Sequence, residues 1–508
     1  MSKLGKLASA IAIAGAAPAA SAADRPATQV HIDTGVLAGT VDGDTLVFRG
    51  IPYAAPPVGP RRWKAPEAAV AWAGVRDATR YGAACPQGAE HKEPWAQVGA
   101  QSEDCLFLNV WRPARPGSYP VMVFLHGGGF TYGAAGVPLY DGAKLARRGV
   151  VIVTMNYRLG RLGFFAHPAL TREDPGGLLG NYGIMDQVEA LRWVRRNIAR
   201  FGGDAHNVTL FGESAGAGTV QLLMASPVST GLFQKAISES GAGGAALAPI
   251  RGTGMTAEAI GQHWTDSLGL HDATAEQLRA IPVADVIKGR GFPFIDGKVV
   301  VRSPGDGFRQ KKEMRIPLMI GSNSNEGSLI GNNGALAKPI LGDAYTDLLA
   351  AYEVRPGSTP ASAAIDLVED AASVLPSLSL ADMHVANGGK AFGFYFTQVP
   401  VDQRAGSLGT EHGGEIEYLF GNKPVEHRWD AEDERVSQLT GDYWVRFART
   451  GDPNGGGAPH WPAVTGQPVA YLSIGADIHA ATLTPLEQKV QALALDFAVK
   501  QWATTPSR

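Results

Sequence analysis

Cysteine is scarce: the 508 residues hold two, Cys85 and Cys105. A single pair twenty residues apart lacks the ligand spacing of a metal centre, and no clustered His, Cys or Asp elsewhere supplies one. In an exported chain such a pair reads as a disulfide, and otherwise as two buried free thiols. Charge of one sign is lacking as well. Forty-five Lys and Arg against 48 Asp and Glu give −3, with no basic patch of the kind nucleic acid requires. No interior apolar run is long enough to cross a membrane, and there is no internal repeat. Gly and Pro are frequent, at 64 and 33, but scattered, so they mark turns rather than low complexity. With 45% hydrophobic and 18% charged residues, disorder is excluded and core material is ample.

The N-terminus stands apart. Lys3 and Lys6 precede a small-apolar stretch, residues 7–19, and then Ala20-Ser21-Ala22-Ala23 ahead of Asp24. A positive region, an apolar region and a small-residue cleavage pattern together read as a secretory signal over residues 1–23. Its removal deletes two lysines and no acids, moving the formal charge from −3 to −5. Export to the periplasm or beyond is expected.

From there, strand-like runs alternate with helical ones. Residues 121–125 and 150–154 are continuously apolar, as central strands covered on both faces should be. Further strands are expected at 208–211, 317–320, 392–396 and 469–472. Residues 186–200 carry Val188, Leu191, Val194 and Ile198 at helical spacing, and 487–502 read as a closing helix. The alternation predicts an α/β sheet with helices on both faces. Residues 219–315 and 330–390 have weaker strand signals and exceed ordinary connections, so helical insertions above the sheet are expected there.

The chemistry concentrates at Gly212-Glu213-Ser214-Ala215-Gly216, directly after the apolar run 207–210. Gly-x-Ser-x-Gly between a strand and a helix places a serine hydroxyl outward on a strained turn, within reach of a histidine. Upstream, His126-Gly127-Gly128-Gly129-Phe130 follows the strand 121–125. Glycines at a strand end expose backbone N–H groups to the charge that develops on a carbonyl oxygen in acyl transfer, with the Ala215 N–H as a further donor. Downstream, Glu326 sits in Asn325-Glu326-Gly327 and His412 in Glu411-His412-Gly413-Gly414. Ser214, Glu326 and His412 thus follow the Ser, acid, His order of α/β-hydrolases.

Phe48-Arg49-Gly50-Ile51-Pro52-Tyr53, Ser102-Glu103-Asp104-Cys105-Leu106, Asn156-Tyr157-Arg158, the serine elbow and Glu415-Ile416-Glu417-Tyr418-Leu419-Phe420-Gly421 extend the pattern. From about residue 28 to the C-terminus the chain resembles a type-B carboxylesterase, of the carboxylesterase/cholinesterase family of α/β-hydrolases. The resemblance implies one catalytic domain over 24–508 with a mostly parallel sheet, acting on a small-molecule ester without cofactor, metal or stable membrane insertion. It implies Ser214 as nucleophile, His412 as base and then acid, and Glu326 as the orienting acid. It further implies Gly128, Gly129 and Ala215 as oxyanion donors and a Cys85–Cys105 disulfide.

Three other residues are expected near the pocket. Glu213 would lie at its floor, where its charge bears on the leaving group or on His412, or would serve as a hydrogen-bonded turn residue. Trp95 lies in the loop between the cysteines, where cholinesterases use a tryptophan to cradle a quaternary ammonium. Phe130, with Tyr132, would wall the pocket or pack in the core. Two rival readings remain on the same chain: an adhesion protein that has lost catalysis, and an amidase or peptidase using the same triad.

Overall fold

The apolar runs form the parallel centre of one large sheet. The computed structural model describes residues 28–503 apart from 89–96, 242, 244, 245, 356 and 357. The expected signal segment and Trp95 lie outside the described residues. Among those described, eleven strands join in the order His479–Thr482, Ala470–Ile474, Ala391–Phe396, Leu318–Asn323, Lys235–Glu239, Gly203–Glu213, Tyr119–Leu125, Val151–Met155, Phe107–Pro113, Thr45–Pro52 and Thr40–Asp42. The strands from Ala470–Ile474 across to Val151–Met155 run parallel, and antiparallel pairs finish both ends.

Burial on both faces explains the unbroken hydrophobicity of these strands. Val121, Val123 and Leu125 point into one core with Val188 and Leu191 of the helix Tyr182–Asn197. Met122 and Phe124 point into the other with Trp444 of the helix Ala431–Thr450 and Phe420 of Glu415–Phe420. The helix expected at 186–200 begins four residues earlier and tightens into a 3-10 turn at Ile198–Phe201. Asp186, within this helix, is buried against the Arg158 guanidinium at 2.7 Å. The closing helix runs Pro485–Ala503.

One expectation is corrected. Residues 219–315 are not simply an insertion, because they contain Lys235–Glu239, a central strand between Gly203–Glu213 and Leu318–Asn323. Its hydrophobic signal is weak because Lys235, Ser238 and Glu239 are buried polar residues with partners in the fold. Helices do occupy the rest, at Ala257–Ser267, Ala275–Arg279, Val283–Val286 and Pro304–Arg309. Residues 330–390 are helical, but Leu375–Ala386 flanks the sheet beside Leu318–Asn323 and Ala391–Phe396 rather than lying above it. The N-terminal strands, including those of a separate small sheet of Gln29–Ile32, Gly35–Ala38 and Val75–Asp77, add to the strands expected from the sequence.

Cys85 and Cys105 form a disulfide. Among the described residues no helix is long and apolar enough to cross a membrane. From Tyr119–Leu125 the chain passes to Val151–Met155 on one side, then returns to Gly203–Glu213 on the other. The carboxyl ends of Tyr119–Leu125 and Gly203–Glu213 therefore flank the switch point of the sheet, where α/β folds leave a crevice.

Candidate active site

Gly203–Glu213 breaks at Ser214, whose φ of 55° and ψ of −119° are sparsely populated for a residue with a Cβ. The helix Ala215–Met224 follows at once, so the Ala215 N–H is at a helix start and has no intrahelical acceptor. The flanking glycines are sterically required. A Cβ on Gly216 would collide with the Leu125 carbonyl, and one on Gly212 would sit 2.8 Å from that same oxygen. The turn holds because strand and helix pass within van der Waals contact of the neighbouring strand.

His412 Nε2 lies 2.8 Å from Ser214 Oγ, and His412 Nδ1 lies 2.5 Å from Glu326 Oε2. The segments carrying Glu326 and His412 are tied by a backbone bond, Asn325 N donating to Thr410 O at 2.8 Å, and by His412 N donating to the Ser328 side-chain Oγ at 2.9 Å. Glu326 Oε1 accepts from Ser240 Oγ at 2.5 Å and from Asn323 N at 2.8 Å. Burial favours its neutral form, but the His412 cation and these donors outweigh burial and hold the carboxyl below its ordinary range. Burial likewise disfavours the imidazolium, yet the facing carboxylates of Glu326 and Glu213 push the His412 pKa upward.

The glycine run borders the nucleophile. Gly128 and Gly129 have φ of 99° and 56°, and both line the cavity that holds Ser214 and His412. A Cβ on Gly127 would lie 3.0 Å from the Ser214 Cβ and collide with the Glu213 carboxylate. His126 braces this loop from behind, with Nδ1 2.9 Å from Gly127 O and its ring stacked on Tyr157 at 4.5 Å. Burial lowers its pKa to about 4, so it is neutral at ordinary pH.

Glu213 lines the cavity and sets Oε1 3.2 Å from His412 Nε2. Burial, with the Glu326 charge, raises its pKa to about 7 against the opposing pull of His412. Tyr132 lines the same cavity, while Phe130 lines a neighbouring apolar one and meets Phe164 edge-on at 5.2 Å. Among the described residues no three His, Cys, Asp or Glu side chains gather as metal ligands.

Several contributors were not singled out from the sequence. Ser240, Asn323 and Ser328 hold the triad, and two more acids lie behind it. Glu239 pairs in register with Glu213 across parallel strands and accepts from Trp444 Nε1 at 3.0 Å. Glu415 accepts from the Asn323 side chain. Burial pushes Glu239 well above the ordinary carboxyl range and Glu415 to about 8. A signal did exist: Glu239-Ser240-Gly241 echoes Glu213-Ser214-Ala215, and Ser240 has the same left-handed φ, 57°.

Comparison with known proteins agrees in extent and kind. The model of the carboxylesterase family matches residues 26–493. The chain is 36% identical to a fumonisin B1 esterase of Sphingopyxis macrogoltabida, covering 88% of this chain and 86% of that protein. It is 34% identical to a para-nitrobenzyl esterase of Bacillus subtilis, covering 84% and 91%. A solved PNB esterase superposes with a TM-score of 0.78 at 31% identity, covering 92% of this chain and 99% of that one. A Geobacillus stearothermophilus carboxylesterase gives 0.79 at 32% identity with the same coverage. These neighbours share the α/β-hydrolase fold described above.

Proposed function

The chain belongs to the carboxylesterase family and hydrolyses carboxylic esters, and on that premise we propose that it does so through Ser214, His412 and Glu326 by way of an acyl-enzyme. The supporting observation is one imidazole placed between Ser214 Oγ at 2.8 Å and Glu326 Oε2 at 2.5 Å.

His412 Nε2 takes the Ser214 proton as Oγ bonds to the ester carbonyl carbon. The carbonyl π electrons move to oxygen, where the N–H groups of Gly128, Gly129 and Ala215 meet the developing charge. The oxyanion then collapses, the alcohol oxygen leaves with the proton from His412, and the acyl group stays on Ser214. Water, losing its proton to His412, repeats the sequence and releases the acid. Glu326 holds Nδ1 protonated, which leaves Nε2 as the basic nitrogen, and it stabilises the cation formed in each half.

An ester is favoured over an amide on family membership. Residues 24–508 form the catalytic domain in this reading, and residues 1–23 a secretory signal; a disulfide at Cys85–Cys105 is compatible with export. A fluorophosphonate probe should label the wild-type protein and not the Ser214→Ala variant. An unlabelled wild type would overturn the assignment and leave a non-catalytic binding protein.

A further inference from the structure

Ser214 stands between two cavities of unlike chemistry. One, of about 710 Å³, carries Glu213 and Glu411 beside Tyr132, with Arg290 at the edge it shares with the other. The other, of about 650 Å³, is walled by Phe130, Phe164, Leu222, Leu247 and Phe294. Its described lining contains no Asp or Glu. Apart from His412, its charged side chains are Arg161 and Arg290.

The fold brings these arginines to one rim by a specific device. Arg161 lies in the short helix Gly160–Gly163, and Arg290 between two glycines in Gly289-Arg290-Gly291. A Cβ on Gly289 would collide with the Arg161 guanidinium, and one on Gly291 with the Gly160 carbonyl. Any other residue at 291 would push the loop away from the fixed Gly160 carbonyl, and one at 289 would displace the Arg161 head, so the glycines set Arg290 one residue from that head. Arg161 Cζ lies 4.5 Å from the Trp264 ring centre, a face-on contact that fixes the head sideways. Burial lowers the Arg161 pKa, with no nearby carboxylate opposing it. Neither guanidinium pairs with a carboxylate among the described residues. Arg161 is half-buried against Trp264 while Arg290 is exposed at the rim, so a carboxylate arriving there meets one partly desolvated guanidinium and a second that solvent leaves accessible.

We propose that the half of the ester entering the apolar cavity carries a carboxylate, which Arg161 and Arg290 bind. The substrate is then an ester with an anionic apolar half, such as a monoester of a dicarboxylic acid, whose other half occupies the cavity beside Glu213 and Glu411. A guanidinium fork suits this task because it meets both carboxylate oxygens at once. The proposal rests on Ser214 being the nucleophile.

The test uses the full chain and two matched ester pairs. Monomethyl adipate against methyl hexanoate places the charge on the acyl half. An ω-carboxyalkyl acetate against the alkyl acetate places it on the alcohol half. In one pair the anionic ester should have the higher kcat/KM. The Arg161→Ala/Arg290→Ala double variant should lower that anionic-to-neutral ratio about tenfold or more, the loss expected for a charge-assisted hydrogen bond. Arg290→Lys, which keeps the charge, should retain most of the ratio, and fluorophosphonate labelling verifies that each variant has folded. A wild-type preference for the neutral ester in both pairs overturns the proposal, as does a ratio indifferent to the double substitution. No turnover of any ester, with no labelling, instead overturns the Ser214 reading, and the proposal falls with it.

Discussion

The Glu213 carboxylate lies 3.2 Å from His412 Nε2, the nitrogen that also meets Ser214 Oγ at 2.8 Å. A second acid therefore faces the base from the side of the nucleophile, opposite Glu326. His412 works as a base only when neutral, so activity is present above its pKa and lost as pH falls through it. Burial lowers that pKa, but Glu326 and Glu213 together raise it above the ordinary value of 6.5. The acid limb of kcat/KM should lie correspondingly high, and Glu213→Gln should move it down by roughly one pH unit. A pH profile of both proteins tests this, and an unmoved limb would show that Glu213 is only a turn residue.

Removal of the reacting groups separates chemistry from folding. Ser214→Ala should retain its Tm yet lose hydrolysis of short p-nitrophenyl esters, and His412→Ala should lose on the order of 10⁴ in kcat. Turnover by Ser214→Ala near the wild-type rate would end the proposed mechanism.

Ser240 touches no reacting atom, but its hydroxyl donates to Glu326 at 2.5 Å. Ser240→Ala leaves Asn323 N as the other hydrogen bond to that oxygen and should reduce kcat/KM about tenfold. Glu326 stays ionised throughout the range in which His412 titrates, so the loss should fall on kcat with KM little changed. A purely structural role would lower Tm and leave kcat of the folded protein in place.

Gly216 has no room for a methyl group, because the obstruction is the Leu125 backbone carbonyl rather than a side chain that can rotate away. Gly216→Ala should destabilise the fold by about 1–3 kcal/mol and displace Ser214. Thermal unfolding and probe labelling read the two effects separately; wild-type values in both would contradict the packing described.

Reduction of the Cys85–Cys105 bond opens a loop of 20 residues. By loop entropy the bond contributes about 3 kcal/mol, so reduction should lower Tm while p-nitrophenyl ester hydrolysis persists at moderate temperature. Scanning calorimetry with and without reductant tests this.

What was legible in the sequence shares one physical property: it depends on neighbours along the chain. The elbow at 212–216 is a local conformational demand, met by glycines on either side of a strained serine. The strands 121–125 and 392–396 announce themselves because all their residues except the half-buried Tyr395 are buried, whichever face they point to. The order of Ser214, Glu326 and His412, joined to the long motifs around them, was enough to indicate both the family and the candidate triad.

Lys235–Glu239 shows where this stops. A buried strand rich in polar residues looks like surface until Asn207, Gln221 and Trp444 are placed around it. Ser240 meets Glu326 across 86 residues, and Glu239 meets Trp444 across 205. An isolated Glu or Ser carries no mark of such a partner, because its environment comes from chain folded back from far away. Arg161 and Arg290 are the same case: two glycines read only as a turn until helix Gly160–Gly163 is packed against them. The sequence by itself therefore determined the sheet's centre, the elbow and the chain order of the acyl-transfer residues. Tertiary structure alone decided which carboxylates are buried together, how they bias His412, and which charges border the cavity, since each of these depends on distances between segments rather than on residues in succession.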